Sequence, residues 1–179
     1  PDQLGAPDAN PMCIDSPLGN SATYLTVDVP TWISANLPVL PAPEYWGIGG
    51  LSQGGTCSIQ LGSAHPELFS AILDASGEEF PSLADPATTV AKGFGGDQAA
   101  YEAAKPAAIM AAHAPYRGMT AVFGVGSNDA GFLPAVQRVY QAAQAAGMDA
   151  TYLEAPGSAH DATSWSYIFE KGLGIIADH

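Results

Sequence analysis

In Tyr45-Trp46-Gly47-Ile48-Gly49-Gly50-Leu51-Ser52-Gln53-Gly54-Gly55, one serine stands with a glycine two residues to either side. Gly50-x-Ser52-x-Gly54 is the spacing of a nucleophile elbow, a sharp strand-to-helix turn that projects a hydroxyl from the top of a sheet. Such a turn holds the serine in a strained backbone conformation, and a bulkier side chain on either flank is expected to clash. A short strand candidate precedes the serine. The apolar run Thr56-Cys57-Ser58-Ile59-Gln60-Leu61 follows with helical spacing. The amide of Gln53 then opens a helix and points to where an oxyanion would form. The same five-residue pattern also occurs as a simple Gly/Ser turn, so its context decides its meaning.

Downstream of the elbow, strand and helix signals alternate. Strands are expected at 69–75, 120–125 and 150–154, and helices from Gln53 to about Ala64, from Phe132 to Ala146 and from Ala162 to Ile176. Pro66 and Gly147 stop two of these helices. Alternation of this kind builds βαβ units and a parallel sheet. Upstream, the spacing of Leu25, Val29, Trp32 and Ile33 predicts a helix from Ser21 to Leu37, kinked at Pro30. Residues 78–118 read as an insertion over one end of the sheet. Asp97 there caps a single alanine-rich helix to about Ala112.

In a parallel sheet the working residues lie at the carboxyl ends of strands. Ser52, Asp129 and His160 each follow directly on a predicted strand. A serine hydroxyl needs a base to take its proton, and an imidazole base needs an acceptor on its other nitrogen. Serine, acid, histidine is the chain order that accompanies an elbow serine in α/β-hydrolases. Asp74 is the alternative acid, and a plain Asx turn is the competing role for Asp129. Asp161 is a poor acid because adjacent side chains diverge from His160. Among the other histidines, His65 precedes a proline at a helix end, His113 ends the alanine-rich helix, and His179 is terminal.

The 179 residues suit one domain, and the net charge of −13 leaves no basic stripe for phosphates or anionic lipid. No apolar run has the length of a membrane span. There is no H-x-x-x-H, and the third glycine of G-x-G-x-x-G is replaced by Ser52, so neither a zinc site nor a dinucleotide is expected. No cofactor is expected. Cys13 and Cys57 either stay reduced or pair. A disulfide between them would contribute about 3–4 kcal/mol under the chain-entropy model, and pairing is the favoured expectation.

Gly50-Leu51-Ser52-Gln53-Gly54-Gly55, His65-Pro66-Glu67-Leu68-Phe69 and Ser76-Gly77 resemble the Putative esterase family. That family includes esterase D, feruloyl esterases and actinobacterial mycolyltransferases. Phe94-Gly95-Gly96-Asp97, Gly126-Ser127-Asn128-Asp129 and the histidine loop with Trp165 fit the same pattern. The resemblance covers about residues 20–175. It implies an α/β-hydrolase fold, a mainly parallel sheet flanked by helices, and a serine hydrolase acting through an acyl-enzyme. By position it implies Ser52 as nucleophile, Asp129 as acid, His160 as base and the Gln53 amide as one oxyanion donor. Phe94, Tyr101 and Trp165 are then expected to shape the substrate pocket.

Family members carry further strands before the elbow, and Pro1-Asp2 resembles the end of one. Residues 1–179 are therefore expected to be the carboxy-terminal part of a single domain, completed by an amino-terminal segment or fragment. The expected activity is ester hydrolysis. An acyltransferase acting on cell-envelope lipids or sugars and a non-catalytic binding module are the alternatives. Composition and the cysteine pair point to an extracellular or cell-envelope location.

Overall fold

The computed structural model describes residues 10–178. A small antiparallel hairpin, β1 (Asp15–Ser16) and β2 (Gly19–Asn20), leads into the first helical segment. Four parallel strands then form the main sheet in the order β3 (Gly47–Leu51), β4 (Ala71–Ala75), β5 (Thr120–Gly126) and β6 (Asp149–Ala155). Sequence order and spatial order coincide, so each crossover moves one strand along the sheet. This is the parallel α/β arrangement that the alternation of signals predicts.

Side chains on successive residues of a strand point to opposite faces, and the two faces here carry separate cores. Ile72, Ala121, Phe123 and Val125 lie under α3 (Gln53–Ala64), α6 (Pro106–His113) and α7 (Leu133–Ala145). Leu73, Ala75 and Val122 lie under the last helix, α8 (Ala162–Ala177). That helix comes close because its contact points are small. A Cβ on Gly172 would stand 2.7 Å from Leu73 Cδ1, and one on Gly124 would stand 2.4 Å from Ile168 Cγ2. The strands β4 and β5 are buried throughout.

Two expected helices differ in detail. The segment from Ser21 is divided into α1 (Ser21–Thr23), a π-helical turn over Tyr24–Asp28 and α2 (Val29–Asn36). Proline has no N–H to bond one turn back. The widened turn just before Pro30 accommodates this. The alanine-rich stretch is two helices, α5 (Gln98–Ala103) and α6. Pro106 forces Lys105 into an extended conformation, ψ 136°, and ends α5. Asp97 does cap α5, accepting from the Ala100 amide at 3.0 Å. A further helix, α4 (Pro86–Gly93), starts at the Asp85-Pro86 cap. Of residues 78–118, α6 joins the helix layer between α3 and α7, while α4 and α5 lie before it in the chain.

Among the described residues β3 pairs with β4 alone, so its other edge is open. Val27, Trp32, Leu37, Val39, Leu40, Tyr45 and Leu51, from the segments around that edge, are exposed. Cys13 and Cys57 are joined in a disulfide, Cα to Cα 5.5 Å, which ties the loop before β1 to the middle of α3.

Phe123 has no exposed surface and sits at the centre of the larger core. Phe123→Ala is expected to lower unfolding stability by about 3–5 kcal/mol, measured as a shift of the urea midpoint at unchanged slope.

Candidate active site

Ser52 ends β3 and opens α3 with φ 53° and ψ −122°, a region that residues with a side chain seldom occupy. Hydrogen bonds on both sides hold it there. Its amide donates to Ala75 O at 2.7 Å, and its carbonyl accepts from the Gly55 and Thr56 amides at 2.9 and 3.2 Å. The flanking glycines are not equivalent. A Cβ on Gly50 would stand 2.3 Å from the backbone of Gly54, so no side chain fits there. One on Gly54 would meet nothing within 4 Å among the described residues. The expected clash therefore holds at Gly50 and not at Gly54, which borders an open groove.

The loops after β5 and β6 are locked together. Ser127 N donates to Ala155 O at 3.0 Å, Asn128 N to Ser158 O at 2.8 Å, and Gly157 N to Ser127 Oγ at 2.8 Å. Gly126 lies so close to the 158–159 backbone that a Cβ there would stand 2.4 Å from Ala159 O. The result places Asp129 and His160 side by side. His160 Nδ1 is 2.9 Å from Asp129 Oδ2, and His160 Nε2 is 2.9 Å from Ser52 Oγ. Asp129 is buried, 6 % exposed. A carboxylate only accepts, so Nδ1 carries the ring proton and donates it to Asp129, which leaves Nε2 to accept from the Ser52 hydroxyl. Phe132 stacks on the imidazole at 4.0 Å between ring centres, and Trp165 meets it edge-on at 5.3 Å. The ring plane is thus held from two directions.

Gln53 is the first residue of α3, so its amide has no acceptor within the helix. Its side-chain Nε2 donates to Asn10 Oδ1 at 2.5 Å. Asp74 does not bond to His160. It lies on β4 with no exposed surface, and its Oδ1 accepts from the Gly77 amide at 2.8 Å. Burial pushes its carboxyl up to about 7. Asp161 serves the helix and not the imidazole, capping α8 by accepting from Thr163 N and Ser164 N. These backbone bonds, Ser164 first, hold its carboxyl below the usual range. His65 bonds to Glu67 Oε1 and His113 to Ile109 O, both away from Ser52, while His179, like Pro1-Asp2, lies outside the described residues.

The three expected pocket aromatics make different contacts. Trp165 touches the imidazole, and its buried Nε1 has no partner among the described residues. Phe94 and Tyr101 pack on each other at 5.4 Å, and Tyr101 is buried under Lys105 Nζ. Sequence reasoning missed Phe132. Its position three residues after Asp129, in the same loop, was the available signal. It also missed Glu78, whose half-buried carboxyl is raised by desolvation and lowered in turn by His160. Among the described residues no group of three or more His, Cys, Asp and Glu side chains is placed to hold a metal.

The chain is similar to proteins of known family. The family model described as Putative esterase matches residues 19–173. An uncharacterized protein of Corynebacterium glutamicum is 37% identical over 181 residues, a match that covers 98% of this chain and 42% of that protein. An S-formylglutathione hydrolase from Agrobacterium tumefaciens superposes with TM-score 0.73 at 19% identity, over 95% of this chain and 63% of that one. A ferulic acid esterase superposes with TM-score 0.71 at 17% identity, over 91% and 62%. At such identities the structural matches speak for the fold alone, and the chain spans less than two thirds of each relative. With its parallel sheet, its helices on both faces and the family match across nearly its whole length, the chain belongs to the Putative esterase family and has the α/β-hydrolase fold.

Proposed function

We propose that this protein cleaves a carboxylic ester through an acyl-enzyme on Ser52. The observation that carries this is the continuous run of hydrogen bonds from Ser52 Oγ through His160 to Asp129, each 2.9 Å long. His160 Nε2 takes the hydroxyl proton as Oγ attacks the ester carbonyl. Asp129 stabilises the imidazolium that results. The imidazolium then protonates the leaving alcohol, and water, activated by the same ring, releases the acid. The Gln53 amide, at the positive end of α3, supplies one hydrogen bond to the oxyanion. The same acyl-enzyme would pass its acyl group to a sugar or lipid hydroxyl if such an acceptor replaced water. The disulfide supports an oxidising, extracytoplasmic location.

We also propose that a strand of the longer protein, amino-terminal to this stretch, pairs with the open edge of β3 and brings the second oxyanion donor. Supporting this are the unpaired edge and the groove of about 330 Å³ beside it, lined by Leu25, Val29, Ile33, Trp46, Ile48 and Leu61. An open parallel edge is a template for a further strand.

In the full natural chain, Ser52→Ala is expected to lower kcat on p-nitrophenyl esters by about 10⁴-fold or more. Wild-type turnover in that variant would sink the proposal. A fluorophosphonate probe should label Ser52 and fail to label it in His160→Ala. Product analysis with water and a sugar acceptor separates hydrolysis from transfer. Amides of β3 are expected to exchange hydrogen more slowly in the longer natural protein than in residues 1–179 alone. Equal exchange would remove the pairing.

A further inference from the structure

Asp74 is a fully buried carboxyl that the reaction described above does not use. It sits on β4 beside Gly50 of β3 and Phe123 of β5. Its Oδ1 accepts from Gly77 N and fills the space against Gly55, in the first turn of α3. A Cβ on Gly55 would stand 2.1 Å from this oxygen, and a Cβ on Gly77 would stand 2.4 Å from it. Its Oδ2 is buried with no partner among the described residues, as is the hydroxyl of Ser76, a residue with φ 58°. Two further bonds close the same joint. Glu78 N donates to Thr56 Oγ1 at 2.8 Å, and Ser52 N donates to Ala75 O at 2.7 Å. The turn after β4 is thereby fastened to the turn that carries Ser52 and Gln53.

We propose that Asp74 is a positioning residue that must be neutral for full activity: its uncharged carboxyl wedges the first turn of α3 against the 76–78 turn, and its ionisation weakens the oxyanion site. This rests on the ester-cleavage proposal. The partial positive charge at the start of α3 is what the Gln53 amide offers to an oxyanion. A carboxylate at Asp74, packed against the same helical turn, competes for that charge and repels the developing oxyanion through a medium of low dielectric. An unpartnered charged Oδ2 would also be costly to keep buried.

Among the described residues no cationic side chain offsets this: β3, β5 and α3 carry no charged residue, and α8, which also packs on β4, carries Glu170 and Lys171 exposed and paired with each other. The charged group nearest along the chain, Glu78, interacts with His160. Burial accordingly holds the Asp74 proton up to about pH 7. The folded state keeps a proton that the unfolded chain loses in the ordinary aspartate range. Stability from this group therefore falls as pH rises from that range to about 7, and is level above it.

The test is the pH dependence of kcat in the full natural chain, wild type against Asp74→Asn. As pH rises from 6 to 8.5, the wild type should lose about tenfold in kcat relative to Asp74→Asn, the order expected for like charges about 10 Å apart at an effective dielectric of about 20. KM should be unchanged. Asp74→Asn should lack that loss and exceed the wild type at pH 8.5. Coincident profiles, with Ser52 still labelled by fluorophosphonate, would overturn the role of Asp74 alone. Absence of labelling in the wild type would overturn the ester-cleavage proposal itself. If Asp74→Asn does not fold, infrared titration of the unmodified protein decides, with Glu78→Gln to identify the other raised carboxyl. A protonated-carboxyl band that disappears near pH 7 is expected, and its absence would overturn the proposal.

Discussion

Backbone approaches backbone at the elbow, and the rest of the site depends on that contact. β3 turns into α3 so sharply that Gly50 and Gly54 leave no room for a Cβ on the first of them. Ser52 is held at positive φ between the Ala75 carbonyl and the Gly55 and Thr56 amides. Three bonds to the main chain offset a conformational cost of order 1–3 kcal/mol. The outcome is a hydroxyl whose direction is set by the sheet and not by a side-chain rotamer alone. It is also a helix that starts at the residue after the hydroxyl, which is what puts the Gln53 amide beside it.

The imidazole reaches Ser52 because two loops are bonded into one unit. β5 and β6 pair in register up to Gly126 and Ala155. Beyond those residues the pairing continues as side-chain and irregular backbone bonds through Ser127, Asn128, Gly157 and Ser158. Asp129 and His160, 31 residues apart in the chain, become neighbours as a consequence of strand register. Phe132 and Trp165 then confine the ring, one across its face and one at its edge. Asp161 contributes at one remove, since its cap starts α8 immediately after His160 and so fixes where the histidine loop must end.

The two edges of the elbow strand's environment differ in kind. On the β4 side the packing is so close that the Asp74 carboxyl and the Ser76 hydroxyl are enclosed without a full set of partners. On the other side β3 is open, next to exposed Trp32, Leu40 and Leu51. A strand with glycine at three of its five positions has little side-chain surface of its own. Its burial must come from what packs over it, and here that is supplied from one side.

The sheet and the chain order of the site were legible in the amino-acid sequence. Ser52, Asp129 and His160 stood out because each follows a strand signal, and a parallel sheet brings all carboxyl ends of its strands to one rim. Helix starts at Gln53, Leu133 and Ala162 were legible within a residue because apolar runs with helical spacing alternate with Gly/Ser-rich loops along the chain. Which acid serves which partner was set by packing in three dimensions. Asp74 and Asp129 both stand at strand ends, and adjacency in the sheet, not spacing in the chain, put Asp129 beside the loop of His160 and buried Asp74 under α3. The Phe132 stack and the unequal demands on Gly50 and Gly54 belong to the same class. Each depends on how closely groups distant in the chain approach in space, and hydrophobic periodicity carries no record of that. The split of the alanine-rich helix is different: it is the local effect of Pro106 on the residue before it.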